Sequence, residues 1–525
     1  MIKTLRTAAV AALLGATALA GIGTGTAHAD TDGQPTTATI KADADGPVYH
    51  KEIFTQFAEH LGNGIYGGLY VGKTSKIPNT DGFRNDVIAA LRELNVPVIR
   101  WPGGCFADEY HWREGIGPQK NRPVKVNTHW GGVTEPNTVG TDEYFDLLRL
   151  VGAQAYVSGN VGDAPPREMA EWVEYMTAPA GTLADERAGN GHKAPYALPF
   201  FGIGNELWGC GGNMRPEYAA DVTRRYATFV KVPDGTRTLK IASGANVDDY
   251  AFTEAMMRIA GNMVDGLSLH YYVLPEGGWP PHSDPVNFGE QEWADALFEA
   301  NRMDELITKH SAIMDKYDPK KRVMLAVDEW GAWYKQDPDT HPGFLRQQNT
   351  LRDAMIASTT LDIFAKHADR VRMSAIAQMV NVLQAMILTD GSKMVKTPTY
   401  WVYDMYKPWQ DATVLPLSID APYYAKGKFT LPAVSGSAVK AKDGAIHVAL
   451  SNLDPEQSNT VTIALDGVNG QGVSGTILTA GAINAHNTFD NPDAVKPVAF
   501  EGAKIEGGKL VVTLPAKSIV ALTLR

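Results

Sequence analysis

Cysteine is nearly absent: the 525-residue chain has two, Cys105 and Cys210. Two are too few for a disulfide scaffold, and neither stands in a metal-ligand spacing. No Lys/Arg-rich block occurs, and acidic residues outnumber basic ones 59 to 48, for a formal net charge of −11. That balance argues against nucleic acid and membranes as partners and suits a neutral polymer. No Gly-rich phosphate loop follows the first apolar run, so nucleotide chemistry lacks its signature. The apolar stretch from Ala8 to Ala20 is too short for a transmembrane helix and runs into a Gly/Thr segment. Internal repeats and low-complexity tracts are missing as well. No metal and no cofactor is expected.

The N-terminus reads as a signal peptide. Lys3 and Arg6 precede the apolar stretch, and Ala27-His28-Ala29 supplies a small-residue cleavage site. Residues 1–29 are therefore expected to be removed and the protein secreted, extracellular or periplasmic. Loss of Lys3 and Arg6 would leave 46 basic against 59 acidic residues, or −13. An oxidising destination permits a disulfide. Both cysteines, however, lie inside the motifs described below, so free thiols in or near a cleft are expected.

The composition, 44% hydrophobic and 20% charged, is that of a globular protein large enough for two domains. From about Phe54 to Gln378 short apolar runs alternate with longer helical stretches, which argues a parallel sheet with crossover helices. Eight runs are found. They are Phe57-Ala58-Glu59, Val98 to Trp101, Ala155 to Asn160, a run ending at Glu206, Lys240 to Gly244, Leu267 to Tyr272, a run ending at Glu329, and Ser374 to Gln378. Helical spacing of apolar residues marks Asn85–Leu94, Asp142–Val151, Pro166–Met176, Pro216–Val230 and Leu345–His367. Eight strands with helices between them predict an α/β fold, a (β/α)8 TIM barrel with insertions. The segments Asn121–Asn137 and Pro275–Glu290 read as insertions over its mouth. After about Trp409 short alternating runs separated by Gly, Asn and Asp predict a β-sandwich, jelly-roll-like in texture. The expected division is a strand-contributing segment at 30–50, the barrel at 51–405 and the sandwich at 406–525.

Two runs have the same form. Phe200-Phe201-Gly202-Ile203-Gly204-Asn205-Glu206 and Val323-Met324-Leu325-Ala326-Val327-Asp328-Glu329 each end a buried strand on a glutamate. Burying a carboxylate costs several kcal/mol unless it is paired or neutralised, so this is not a packing choice. One Glu could merely pair with an Arg at a strand end. Two of them at the carboxyl ends of barrel strands are what a glycosidase needs: a proton donor and a nucleophile or base. Other strand ends carry Glu59, Arg100, Asn160, Asn205, His270, Tyr272 and Gln378. Amides, His and Tyr can bind hydroxyls and orient carboxylates. Taken alone, His270 reads more readily as a hydrogen-bonded core histidine and Tyr272 as ordinary packing. Trp101, Trp130, Trp208 and Trp333 could stack on sugar faces or simply pack.

With these segments in view the chain resembles the α-L-arabinofuranosidases of glycoside hydrolase family 51. The resemblance is carried by Phe57-Ala58-Glu59-His60-Leu61-Gly62, Arg100-Trp101-Pro102-Gly103-Gly104-Cys105-Phe106, Gly204-Asn205-Glu206-Leu207-Trp208-Gly209-Cys210-Gly211-Gly212-Asn213-Met214, Leu267-Ser268-Leu269-His270-Tyr271-Tyr272, Asp328-Glu329-Trp330-Gly331 and Ala377-Gln378-Met379-Val380-Asn381-Val382. It implies a retaining enzyme with Glu206 as acid/base and Glu329 as nucleophile. It further implies that Glu59, Cys105, Asn205, Tyr272 and Gln378 hold the furanose ring, and that Arg100 and His270 orient the carboxylates. The expected substrate is an arabinose-containing polysaccharide or oligosaccharide, and a homo-oligomer is left open. Another retaining barrel glycosidase, a β-xylosidase or endoglucanase, is the alternative, followed by a catalytically dead carbohydrate-binding protein. A closed pocket under the Trp130 and Trp279 loops would mean exo action, an open groove endo action.

Overall fold

The computed structural model describes residues 35–468 and 472–525. The expected signal peptide lies outside the described residues. Eight parallel strands close into a barrel in chain order: β1 (Thr55–Phe57), β2 (Val98–Trp101), β3 (Gln154–Gly159), β4 (Phe200–Ile203), β5 (Leu239–Asn246), β6 (Gly266–Val273), β7 (Met324–Ala332) and β8 (Val371–Ile376). The ring shuts where Ala375 and Ile376 pair with Thr55 and Gln56. This is the expected (β/α)8 barrel, and all eight expected runs supply a strand.

Early positions of the strands fill the barrel interior. Val98, Tyr156, Phe200, Ile241, Met324, Ala326 and Met373 form a separate apolar cluster there. With the interior plugged from that end, polar side chains can converge only at the strands' carboxyl ends.

The crossover helices are α1 (Asn85–Glu93), α2 (Thr141–Val151), α3 (Pro166–Thr177), α4 (Pro216–Phe229), α5 (Tyr250–Ala260), α6 (Glu290–Tyr317) and α7 (Leu351–Lys366). The sequence pattern places the start of α7 at Leu345. It starts later because Thr350 caps it: its hydroxyl accepts from the Arg352 N–H, and Asp353 Oδ2 accepts from the Thr350 N–H at 2.7 Å. Helix α6, the longest, is not anticipated. Its buried face carries Trp293, Leu297, Met303, Leu306, Ile307 and Met314, but Asp295 and His310 are buried among them and interrupt the apolar stripe.

Two sheets follow the barrel. The five-stranded one includes Thr36–Lys41, which pairs antiparallel with Leu417–Asp420 and parallel with Asn459–Asp466. The seven-stranded one runs through Val434–Lys440, Ile446–Asn452 and Ser518–Leu524. An apolar cluster that includes Ile40, Val448, Val461, Ile463, Leu510, Val512 and Leu522 lies between them. Helix α7 packs against this unit: Asp362, fully buried, accepts from the hydroxyls of Ser437 (2.6 Å), Tyr406 (2.9 Å) and Ser435 (3.0 Å). Among the described residues no helix is long and apolar enough to cross a membrane.

Candidate active site

Glu329 and Asp328 are neighbours on β7, yet both reach the barrel interior. Residues on a regular strand alternate faces, so an irregularity is required. Ala326 to Glu329 on β7 faces only Ser268 to His270 on β6, and Val327 to Trp330 faces only Ser374 to Ile376 on β8. The extra residue is a bulge, which re-aims both carboxylates.

Glu206 follows β4 in a tight turn. Gly204 has φ +74° and Glu206 itself φ +43°. The left-handed region costs a non-glycine residue roughly 1–3 kcal/mol and persists only where neighbours impose it. Here the Asn205 N–H donates to Asp108 Oδ2 (2.8 Å) and the Leu207 N–H to Ser243 Oγ (3.1 Å). Asp108 also accepts from the Val161 and Gly162 N–H groups. Nothing in the sequence marks Asp108, because it lies in a short 3-10 turn, Cys105–Glu109, beyond the end of β2.

Arg100, on β2, lies beneath the carboxylates and is buried. Its Nη1 donates to Glu329 Oε1 and to the Asp328 carbonyl, both at 2.9 Å, and its Nη2 donates to Asn205 Oδ1 at 2.7 Å. The guanidinium lies 4.4 Å from the Phe57 ring centre. His270 bridges the two strand-end glutamates. Its Nδ1 is 2.9 Å from Glu206 Oε1 and 3.5 Å from Glu329 Oε2, and its Nε2 is 3.3 Å from Asp328 Oδ1. Tyr272 donates its hydroxyl to Glu329 Oε2 at 3.0 Å.

Glu59, at the end of β1, is held from three sides. Its Oε1 accepts from Trp130 Nε1 (2.9 Å) and the Phe106 N–H (3.1 Å), and its Oε2 accepts from Gln378 Nε2 (3.0 Å). The Trp130 loop is pinned by Asn127, whose Nδ2 donates to the His60 carbonyl while its Oδ1 accepts from the Trp130 N–H. Trp333 packs edge-on against Tyr272, with ring centres 5.1 Å apart.

The expected site residues thus gather at one mouth, with three corrections. Cys105 and Cys210 are not free thiols but a disulfide: the loops after β2 and β4 meet beside Glu206 and bring the two sulfurs together. Trp101 cannot face a sugar, because it is fully buried and donates its Nε1–H to His60 Nε2 (3.0 Å). Asn160 turns to its own loop, bonding Asp163 Oδ1 at 2.7 Å.

The charges are unequal. Arg100 and His270 face four carboxyls: Asp328, Glu329, Glu206 and Glu59. Burial disfavours a charged His270, but the Glu329 charge and the hydrogen bonds to Asp328 and Glu206 push its pKa up to about 10. Burial would raise Asp328, yet Arg100 and His270 hold it below the usual carboxylate range. Glu206 is raised, first by burial and then by the Glu329 charge, against the opposing pull of His270. Glu59 is pushed up to about 7 by burial and Glu329. Among these carboxyls burial thus raises Glu206 and Glu59, while Arg100 and His270 lower Asp328.

Relatives of the chain are arabinofuranosidases. The model of the alpha-L-arabinofuranosidase 1 domain matches residues 90–278, and that of the alpha-L-arabinofuranosidase C-terminal domain matches residues 328–518. The intracellular exo-alpha-L-arabinofuranosidase of Bacteroides ovatus is 49% identical, over 93% of this chain and 95% of its own length. The intracellular exo-alpha-(1->5)-L-arabinofuranosidase of Streptomyces lividans is 28% identical over 88% of this chain and 71% of its own. The crystal structure of the GH51 arabinofuranosidase from Xanthomonas axonopodis pv. citri superposes with a TM-score of 0.93 at 60% identity, covering 94% of this chain and all (100%) of that one. An arabinose complex of the Thermotoga maritima alpha-L-arabinofuranosidase gives 0.82 at 27% identity, covering 93% of this chain and 99% of that one. The relatives from B. ovatus and S. lividans are both named intracellular, which overturns the expectation of secretion drawn from residues 1–29.

Proposed function

The chain belongs to the α-L-arabinofuranosidases of glycoside hydrolase family 51, and from that premise we propose how its own residues divide the work. The enzyme is a retaining, exo-acting hydrolase that releases terminal L-arabinofuranose from an arabinose-containing glycan. Glu329 is the nucleophile. Arg100 and Tyr272 hold its oxygens in place for attack on the anomeric carbon. Glu206 is the acid. Burial and the Glu329 charge raise its pKa, which favours the protonated form that delivers a proton to the departing glycosidic oxygen.

Attack converts Glu329 to an ester and removes its charge. Glu206, having lost its proton, is now an anion next to His270, and it takes a proton from the incoming water. Glu59, Asn205 and Gln378 line the same mouth and bind the furanose hydroxyls. A protonated Glu59 both donates and accepts, which suits a hydroxyl partner. Trp130 and Trp333 wall the ring.

One observation carries this reading. A Glu206 oxygen, a His270 nitrogen and a Glu329 oxygen all lie within 4.8 Å of one another. Retaining glycosidases hold their carboxyls about 5–5.5 Å apart and inverting ones about 6.5–9.5 Å, to admit a water. The spacing supports direct nucleophilic attack.

The place of action is read as inside the cell, after the intracellular relatives. The decisive experiment traps the glycosyl-enzyme in Glu206→Ala with a dinitrophenyl arabinofuranoside and locates the added pentose by peptide mass spectrometry. The label is expected on Glu329, and a label on another residue overturns the assignment.

A further inference from the structure

The bridge between Cys105 and Cys210 lies against the proposed acid. Glu206 Oε2 is 3.4 Å from Cys210 Sγ and 3.8 Å from Cys105 Sγ. As bridged sulfurs they carry no proton, so these are contacts and not donated hydrogen bonds. Both cysteines are only partly buried, which leaves the bridge open to a small reductant entering by the mouth. Intracellular thiol pools keep most cysteine pairs reduced.

We infer that Cys105, Cys210 and Glu206 form a redox-gated site for a soft divalent cation such as Zn²⁺, whose occupation silences the enzyme. The inference rests on the reading of Glu206 given above. The three ligand atoms, two Sγ and one carboxylate oxygen, already lie within 4.8 Å of one another. Zinc takes thiolate at about 2.3 Å and carboxylate at about 2.0–2.2 Å in tetrahedral array, and thiolate ligands select it over Mg²⁺ or Ca²⁺. Two such Zn–S bonds set the sulfurs on the order of 4 Å apart. Opening the bridge supplies that separation by side-chain rotation.

The supporting groups are present. Asn205 Nδ2 lies 3.8 Å from Cys210 Sγ, where its N–H meets a thiolate favourably. His270 holds the other oxygen of Glu206, the kind of partner that orients a ligating carboxylate.

The chemistry is balanced. A low-molecular-weight thiol attacks one sulfur and a second thiol releases the mixed disulfide. The S–S bond breaks, each protein sulfur ends with one proton, and the reductant leaves as its own disulfide. The cation then displaces both thiol protons and the Glu206 proton to solvent and binds the Glu206 carboxylate. A Glu206 so bound can neither give nor take a proton, so turnover stops. In the oxidised chain the sulfurs have no thiolate to offer and the cation finds only a lone carboxylate. The bridge is thereby a guard over the acid.

The test compares oxidised chain, chain reduced with a phosphine and freed of it, and reduced Cys210→Ser. Mass spectrometry counts thiols and a thermal melt checks the fold. Zinc is titrated against a chromophoric chelator, in parallel with arabinofuranoside hydrolysis. The reduced chain should bind one Zn²⁺ at least on the order of 100-fold more tightly than the other two, a ratio set by loss of a ligand. Its activity should fall with the same midpoint and return on chelation. Equal zinc affinity in all three, or a bridge that opens only with unfolding, overturns the inference. The chelator titration needs no substrate, so a chain that binds zinc as described but does not cleave arabinofuranosides would refute the functional reading and not this one.

Discussion

Tyr156 donates its hydroxyl to Asp328 Oδ2 at 2.6 Å. Asp328 immediately precedes the proposed nucleophile and shares Arg100 and His270 with it. The tyrosine thus acts on Glu329 through its neighbour. Removing one hydrogen bond to a charged group costs about 1.5–3 kcal/mol if it is fully felt. Tyr156→Phe is therefore expected to lower kcat on the order of 10-fold or more, with KM little changed. Steady-state kinetics on a nitrophenyl arabinofuranoside check this, and a change in KM alone would assign Tyr156 to binding.

Glu329→Ala should abolish turnover of every substrate, a loss on the order of 10⁴-fold or more when the attacking group is gone. Added azide can occupy the vacated space and attack in its place, giving a glycosyl azide of inverted configuration. NMR of that product is the check, and near-normal turnover by the variant would refute the nucleophile assignment.

For Glu206→Ala the effect depends on the leaving group, since a good one departs without a proton. On arabinan or arabinoxylan the loss should be about 10²–10⁴-fold. On a dinitrophenyl arabinofuranoside the first step should be nearly spared, while deglycosylation lacks its base. A burst of dinitrophenol before a slow steady state, followed by stopped flow, is the expected record. Equal losses on both substrates with no burst would mark Glu206 as structural.

The sequence disclosed most of this site because chemistry clusters at strand ends, and strand ends are legible. Glu59, Arg100, His270 and Tyr272 each close an apolar run, and a closed barrel brings all such ends to one rim. What escaped was whatever depends on local deviation. Asp328 reaches inward through a bulge that no period-two pattern announces. Asp108 sits in a short 3-10 turn beyond the strand end, where no apolar run points to it. The disulfide escaped because pairing across 105 residues of sequence is set by loop geometry and not by spacing. Helix α6 escaped because the buried polar residues Asp295 and His310 interrupt its apolar stripe.

Burial pushes Asp362 up from 3.8 to about 7, against the hydrogen bonds from Ser437, Tyr406 and Ser435. A folded-state pKa above the unfolded one means the native chain holds a proton that the unfolded chain has released. This group's contribution is therefore greatest below the unfolded pKa of 3.8 and declines as pH rises toward about 7. Asp362→Asn should flatten that dependence, so its melting temperature should change less than the parent's across this window. Calorimetry at several pH values measures it, and parallel curves would show that Asp362 does not titrate there.

Trp279 is 67% exposed and meets Trp333 edge-on, with ring centres 5.0 Å apart. Trp333 in turn meets Tyr272, so aromatic rings lead outward from Glu329. Trp279→Ala should raise KM for an arabino-oligosaccharide severalfold, as loss of one stacking partner worth about 0.5–1.5 kcal/mol would. A nitrophenyl arabinofuranoside, with no second sugar, should be unaffected. Equal KM values for both proteins on the oligosaccharide would exclude this role.

The strand Thr36–Lys41 has a consequence for how the molecule is made. It leaves the ribosome before any barrel strand, yet both its neighbours, Leu417–Asp420 and Asn459–Asp466, come after the last one. At ordinary translation speed the wait is on the order of tens of seconds. During that time the nascent chain carries an unpaired edge with apolar Ile40 beside it, while the barrel can already close. Biosynthesis therefore ends by threading its beginning into its end, and a ribosome that stalls before Leu417 leaves a barrel trailing a strand with nowhere to dock.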